Sequence, residues 1–318
     1  MKVLVTGGAG FIGSHIVEAL KLRNDVSEIR VLDNLSTGHY KNIEEFIDHK
    51  KVTFIEGDIR NDETCAKAVE GVDIVCHQAA LGSVPRSIQD PVTSHNVNVN
   101  GFLNILNAAR LAGVNKMVYA SSSSVYGDLN ESPKVEDLTG KLLSPYAATK
   151  MANELYAEVF AKSYGMQICG FRYFNVFGPR QDPNGPYAAV IPLFFKAALD
   201  GKSPKINGDG TITRDFTFVK NVVNANLAAM LEFEDIGKHH VFNIACGETT
   251  SLNQLWNLIS EISQCNIEPE YGPVRKGDIL HSLADVSRAQ SLLGYDKLTT
   301  VRDGLELTAE WYKSTSIA

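Results

Sequence analysis

Residues 1–13 read MKVLVTGGAGFIG, a short apolar run closed by Gly7, Gly10 and Gly13. The run Val3–Val5 is apolar throughout, as in a strand covered on both faces. The glycines follow as G-x-x-G-x-x-G, then a helix-like pattern, Gly13–Lys21, then a second apolar run, Ile29–Leu32. Strand, glycine turn, helix and strand in that order form a dinucleotide-binding unit. Such glycines let backbone N–H groups approach a pyrophosphate at the helix N-terminus. No Gly-Lys-Ser/Thr follows, so the turn is not a P-loop. The apolar stretch is too short for a signal peptide and reads as a first strand.

Working outward, Asp33 closes the second strand 20 residues beyond Gly13, where a carboxylate accepts from ribose hydroxyls and repels a 2′-phosphate. NAD is therefore expected over NADP. Asp58, in GDIR after the third strand, is placed to reach the adenine edge. Further strands are expected at Val52–Ile55, Ile74–Cys76, Met117–Ala120 and Ile168–Arg172, with helices at Cys65–Val69, Val97–Arg110 and Tyr146–Tyr164 between them. This alternation predicts an α/β fold: a Rossmann-type doubly wound parallel sheet with helices on both faces.

After Arg172 the pattern changes. FNVFGPRQDPNGPY is rich in Pro, Gly, Asn and Asp and predicts a long loop near the ligand. A helix at Ala189–Leu199, a turn around Asn207–Gly210, a helix at Val219–Leu231, a strand at Val241–Ile244 and a mostly helical tail follow. The expected division is an NAD-binding domain over 1–172, with 215–245 returning to it. A smaller, interleaved substrate domain takes 173–214 and 246–318.

Composition narrows the partners. The 318 residues are 44% hydrophobic with a net charge of -7, and no basic run offers itself to a nucleic acid. No apolar stretch approaches the roughly 18 residues of a membrane span. Cys65, Cys76, Cys169, Cys246 and Cys265 are scattered without C-x-x-C spacing and read as buried free thiols; no metal site is expected. The chain reads as cytoplasmic.

Tyr146 and Lys150, in SPYAATK, stand one helical turn apart on one face. A lysine ammonium beside a phenol favours the phenolate and yields a base near neutral pH. Beside a dinucleotide site, the pair points to redox chemistry at a hydroxyl.

Together these residues resemble the extended short-chain dehydrogenase/reductase superfamily over nearly the whole chain, through TGGAGFIGSH, HQAA (77–80), NVNG (98–101), SSSSVYGD (121–128), SPYAATK and RYFNVFGPR. Within it the strings GSVPRSI, RQDPNGPYAAVIP, INGDG, TRDF and GDILHSLAD are similar to those of nucleotide-sugar 4-epimerases acting on UDP-glucose and UDP-N-acetylglucosamine. The resemblance implies that Tyr146 removes the proton of sugar O4 as hydride leaves C4 for NAD. The 4-keto sugar then turns over and hydride returns to its other face. Lys150 lowers the tyrosine pKa and holds the nicotinamide ribose, and Ser122 or Ser123 relays the proton.

Cofactor contacts are implied for Gly7, Gly10, Phe11, Ile12, Gly13, Asp33, Asn34, Ser36, Thr37, Gly38, Asp58, Ile59, Gln78, Ala79, Ala80, Asn98, Tyr146, Lys150 and Tyr173. Substrate contacts are implied for Ser83, Arg86, Ser123, Asn175, Ala189, Val190, Asn207, Arg214, Arg275, Asp278 and Ser282. The family's 4,6-dehydratases carry an Asp-Glu pair where this chain has Ser123 and Ser124, and its UDP-glucuronate decarboxylases a glutamate nearby, so elimination and decarboxylation lack their acids. Galactose-only relatives carry a tyrosine where Ser282 stands, so room for an N-acetyl group is implied. The resemblance also implies a homodimer joined by a four-helix bundle from the helices near 97–110 and 146–164. Alternatives left open are a UDP-glucuronate 4-epimerase, another nucleotide-sugar oxidoreductase, and a non-catalytic dinucleotide sensor.

Overall fold

The computed structural model describes residues 1–184, 188–273 and 281–315. Its centre is a seven-stranded sheet. The first six strands are β1 (Lys2–Thr6), β2 (Glu28–Asp33), β3 (Val52–Glu56), β4 (Ile74–His77), β5 (Lys116–Ala120) and β6 (Gln167–Tyr173); the seventh is His239–Ile244. The order across the sheet is His239–Ile244, β6, β5, β4, β1, β2, β3, and every pairing is parallel. The chain reverses its direction of travel between β1 and β4, and the crevice at the strands' carboxyl ends there is where such folds take a ligand.

The apolar runs explain this arrangement. In β4 and β6 every residue is buried, because helices cover both faces. One apolar cluster, including Val3, Val5, Val31 and Phe242, fills one side of the sheet. A second, including Leu4, Val75, Phe102 and Ile168, fills the other. The alternation of β1 residues between the two clusters is the period-two geometry of a strand.

A third cluster lies apart from the sheet and joins Phe177, Phe194, Trp256 and Leu305. Its elements include the helices Val190–Leu199, Leu252–Ser263 and Val301–Ser314. The intervening helix Val219–Leu231 leads back to the main sheet through His239–Ile244.

The helix Pro145–Tyr164 carries the Tyr-Lys pair. Ser144 caps it by accepting from the Ala147 N–H at 3.1 Å, and Pro145 occupies its first turn. The expected continuous helix over 97–110 is divided. A π-helical turn, Asn96–Asn100, precedes the α-helix Gly101–Leu111. Within that turn the buried Asn98 amide accepts from Leu81 N at 2.7 Å and donates to Leu81 O and to Thr149 Oγ1. Among the described residues no helix is long and apolar enough to cross a membrane.

Candidate active site

A cleft of about 520 Å³ opens at the carboxyl ends of β1, β2, β4 and β5. Its floor is the turn between β1 and the helix Phe11–Lys21. Gly7 has φ +68°, and a Cβ there would stand 2.6 Å from the backbone N of Ala79. A Cβ on Gly13 would stand 2.1 Å from the Gly7 carbonyl oxygen. Side chains are thus shut out of a cradle that leaves room for a phosphate against backbone N–H groups. Phe11, Ile12, Ser36, Thr37 and Gly38 also line it.

Asp33 lines the same cleft and is buried. Its carboxylate accepts from Ala9 N and Leu35 N, each at 2.9 Å, fastening the glycine turn to the end of β2. Burial pushes it above the usual carboxylate value in spite of those bonds. Asp58, beside Ile59, lies farther along. Arg60 grips it at 2.6 Å and Asn34 Nδ2 donates to it at 2.9 Å, and chiefly the arginine pulls it down to about 2. Gln78, Ala79 and Ala80 form the wall after β4. The Tyr173 hydroxyl donates to Gln78 at 3.2 Å and accepts from Asn226 at 2.8 Å.

Tyr146, Lys150 and Ser122 meet at the other end of the cleft. Burial pushes the Tyr146 phenol up, while a hydrogen bond with Ser122 pulls it down. Lys150 Nζ donates to the Ala120 carbonyl at 2.7 Å and stands 6.0 Å from the centroid of the Tyr146 ring. Burial lowers Lys150 to about 8, opposed by the Glu154 charge. The Lys150 ammonium is turned to Ala120, and Ser122 is the side chain that opposes the burial of the phenol. Ser123 opens a 3₁₀ turn, Ser123–Tyr126, and is absent from the cleft wall.

The other residues singled out are distributed as follows. Asn98 sits behind the cleft, with its amide committed to Leu81 and Thr149. Ser83 caps the helix Val84–Gln89, which contains Arg86. From the same helix, Ser87 Oγ accepts from Tyr146 N at 3.0 Å. Ala189 lines the cleft and Val190 begins the next helix. Asn175 has φ +33° and donates to the Asp215 carbonyl. Asn207 ends a strand paired with Glu270–Gly272. Arg214 and Ser282 are neighbours, because Thr213 bridges to His281. Arg275 and Asp278 lie outside the described residues.

Sequence reading missed two clusters. Glu154, two turns beyond Tyr146, is buried and accepts from Ser121 Oγ at 2.5 Å and from Arg172 at 3.0 and 2.7 Å. Asp215, beside Arg214, is wholly buried and accepts from the backbone of Cys246, Gly247 and Ala284. For Glu154 the helical spacing was a usable signal; for Asp215 there was none, because its partners are backbone groups.

The family pattern described as NAD dependent epimerase/dehydratase matches residues 3–245. The chain belongs to that family. It is 38% identical over 318 residues to a UDP-glucose 4-epimerase of Mycolicibacterium smegmatis, covering 99% of this chain and 100% of that one. It superposes with a TM-score of 0.92 on the crystal structure of a UDP-glucose 4-epimerase with UDP-glucose from Thermotoga maritima, at 37% identity over 99% of this chain and 100% of the other. A UDP-N-acetylglucosamine 4-epimerase from Methanobrevibacter ruminantium, in complex with UDP-N-acetylmuramic acid, gives 0.92 at 40% identity over 99% and 98%. The protein is an NAD-dependent enzyme of the UDP-sugar epimerase/dehydratase type, and the glycine cradle, Asp33 and the cleft fit that cofactor.

Proposed function

We propose that the enzyme interconverts the C4 epimers of UDP-hexoses, UDP-GlcNAc/UDP-GalNAc as well as UDP-Glc/UDP-Gal. The observation that carries this reading is the corner formed by Tyr146, Ser122 and Lys150, with only serines, Ser123 and Ser124, where a dehydratase needs acids. NAD, when bound, supplies the acceptor and donor of the C4 hydride. The chain supplies the proton chemistry. Tyr146 takes the proton of O4 and later returns it, and Ser122, which draws the phenol down, relays it. Lys150 places a positive charge beside both. Ser123 is left a backbone role at the head of its turn.

In this reading Arg214 meets the diphosphate, with Asn175, Asn207, Arg275 and Asp278 around the nucleotide, and Ser83, Arg86, Ala189 and Val190 near the sugar. Ser282 sets the room at C2. The segments 173–214 and 246–318 act as the substrate domain, which the separate apolar cluster around Phe194 and Trp256 supports. A homodimer is also part of the reading. Leu155 and Val159, one turn apart on the catalytic helix, are 62% and 55% exposed, as are Ile88 and Val92 at 62% and 67%. Leu155→Arg should halve the mass measured by light scattering; an unchanged mass would exclude that face.

The test is incubation with UDP-Glc, UDP-GlcNAc and UDP-glucuronate, each without reductant, followed by separation of C4 epimers. Epimers of the first two should accumulate with no net NADH. A Tyr146→Phe enzyme working at full rate would remove the tyrosine from its role.

A further inference from the structure

Tyr146, Lys150 and Glu154 occupy successive turns of one helix. The first two face the cleft. Glu154 is buried behind it, and both its oxygens are engaged. Arg172 on β6 takes them as a fork, through Nε at 3.0 Å and Nη2 at 2.7 Å. Ser121 Oγ donates to the same Oε1 at 2.5 Å.

Ser121 is the residue between the two groups that the reacting pair uses. On one side is Ala120, whose carbonyl receives the Lys150 ammonium at 2.7 Å. On the other is Ser122, the side chain that draws the Tyr146 phenol down against its burial. Beside the Ser121 N–H bond to the Phe171 carbonyl at 2.8 Å, the Glu154 carboxylate is thus a side-chain brace on the strand end on which both side chains depend. We propose that Glu154 is a positioning residue of the reaction centre: through Ser121 it braces the end of β5, which carries the Ala120 carbonyl that receives Lys150 and leads into Ser122. This rests on the epimerase reading, in which Tyr146 and Lys150 act on the substrate.

The electrostatics agree with the geometry. Lys150 is buried, which favours the neutral amine, and Glu154 is the group that opposes this. Among the described residues, the titratable and charged groups facing this corner are His77 on β4, Tyr119 on β5, Tyr126 in the turn after it, Glu136 beyond that turn, Tyr146 and Glu158 on the same helix, Cys169 and Arg172 on β6, and His239 on the edge strand. Burial holds His77 down at about 3, lowers His239 and raises Tyr119, so these three keep one charge state between pH 7 and 9. Loss of activity above neutrality then reports Lys150.

The experiment is the pH profile of kcat for UDP-Glc epimerisation by the holoenzyme. Glu154→Gln alone strands the buried Arg172 charge, so the informative variant is Glu154→Gln with Arg172→Met. It keeps an oxygen for Ser121 and removes both charges. Its basic limb should move to lower pH by about one unit, with KM for UDP-Glc within about twofold of wild type. Arg172→Met alone leaves the Glu154 charge unopposed and should move the limb the other way. Ser121→Ala should lower kcat about tenfold without moving either limb.

A folded double variant with its basic limb at the wild-type position would overturn the proposal, and so would limbs moving together in the two arginine variants. Tyr146→Phe separates the two levels. If it retains full rate, the epimerase reading of the site fails. If it is inactive while the limbs stay fixed, only the role of Glu154 fails.

Discussion

Replacing Asp215 with asparagine should remove a pH-dependent contribution to stability that can be worked out from its surroundings. The side chain is wholly buried. Oδ1 accepts from Cys246 N at 2.9 Å, and Oδ2 from Gly247 N at 3.0 Å and Ala284 N at 3.3 Å. Three such donors stabilise a carboxylate, but burial outweighs them and pushes the group from 3.8 up to about 7. The folded protein therefore holds this proton more tightly than the unfolded chain. The associated stability is fully present below about pH 4 and is lost as pH rises through about 7. Between pH 5 and 8 the loss is about 3 kcal/mol, at about 1.4 kcal/mol for each pH unit over which the two states differ by a proton. Urea unfolding of the wild type and Asp215→Asn at both pH values measures it, since the variant does not titrate there. The wild type should lose about 3 kcal/mol relative to the variant on going to pH 8. A difference that stays flat, or that grows in favour of the wild type, would refute the reasoning and show that the three N–H donors dominate.

Three further outcomes follow from the cleft. Ser122→Ala removes the group that draws the phenol down, so kcat should fall about 100-fold with the acid limb moved upward, whereas Ser123→Ala should stay within about twofold. Gly13→Ala forces a methyl to within 2.1 Å of the Gly7 carbonyl oxygen; it should cost about 1–3 kcal/mol in urea unfolding and strip NAD from the purified enzyme, measured after acid release. Ser282→Tyr should suppress turnover of UDP-GlcNAc while sparing UDP-Gal, and equal loss on both would end the gatekeeper role for that position.

The sheet was legible because its central strands are buried on both faces, which writes continuous apolar runs such as VLV and IVC into the sequence. The helix Val219–Leu231 shows the expected bounds, since an apolar stripe marks it from end to end. The turn Asn96–Asn100 was not legible: a π-turn shifts the hydrogen-bond ladder without altering the apolar pattern. The glycines, Asp33, Tyr146 and Lys150 converge on one cleft, as their spacing implied. Four successive serines, by contrast, look alike, and only the backbone direction entering the turn Ser123–Tyr126 aims one at the phenol. Glu154 and Arg172 belong to elements that meet only in the folded chain, and Asp215 bonds to backbone groups that no side-chain pattern encodes.

The position of β1 also bears on how the chain is made. Its outer neighbour β2 follows at once in sequence, but its inner edge is closed by β4, so that Val3 waits for Ile74. A nascent chain that ends before Ile74 carries a strand with an apolar centre, Val3–Val5, and one open edge, the kind of surface that recruits foreign strands. Emergence of IVCH is thus the step at which β1 gains the neighbour that closes its second edge. The same event completes the wall of the nucleotide cradle, since Ala79 follows directly and packs against Gly7.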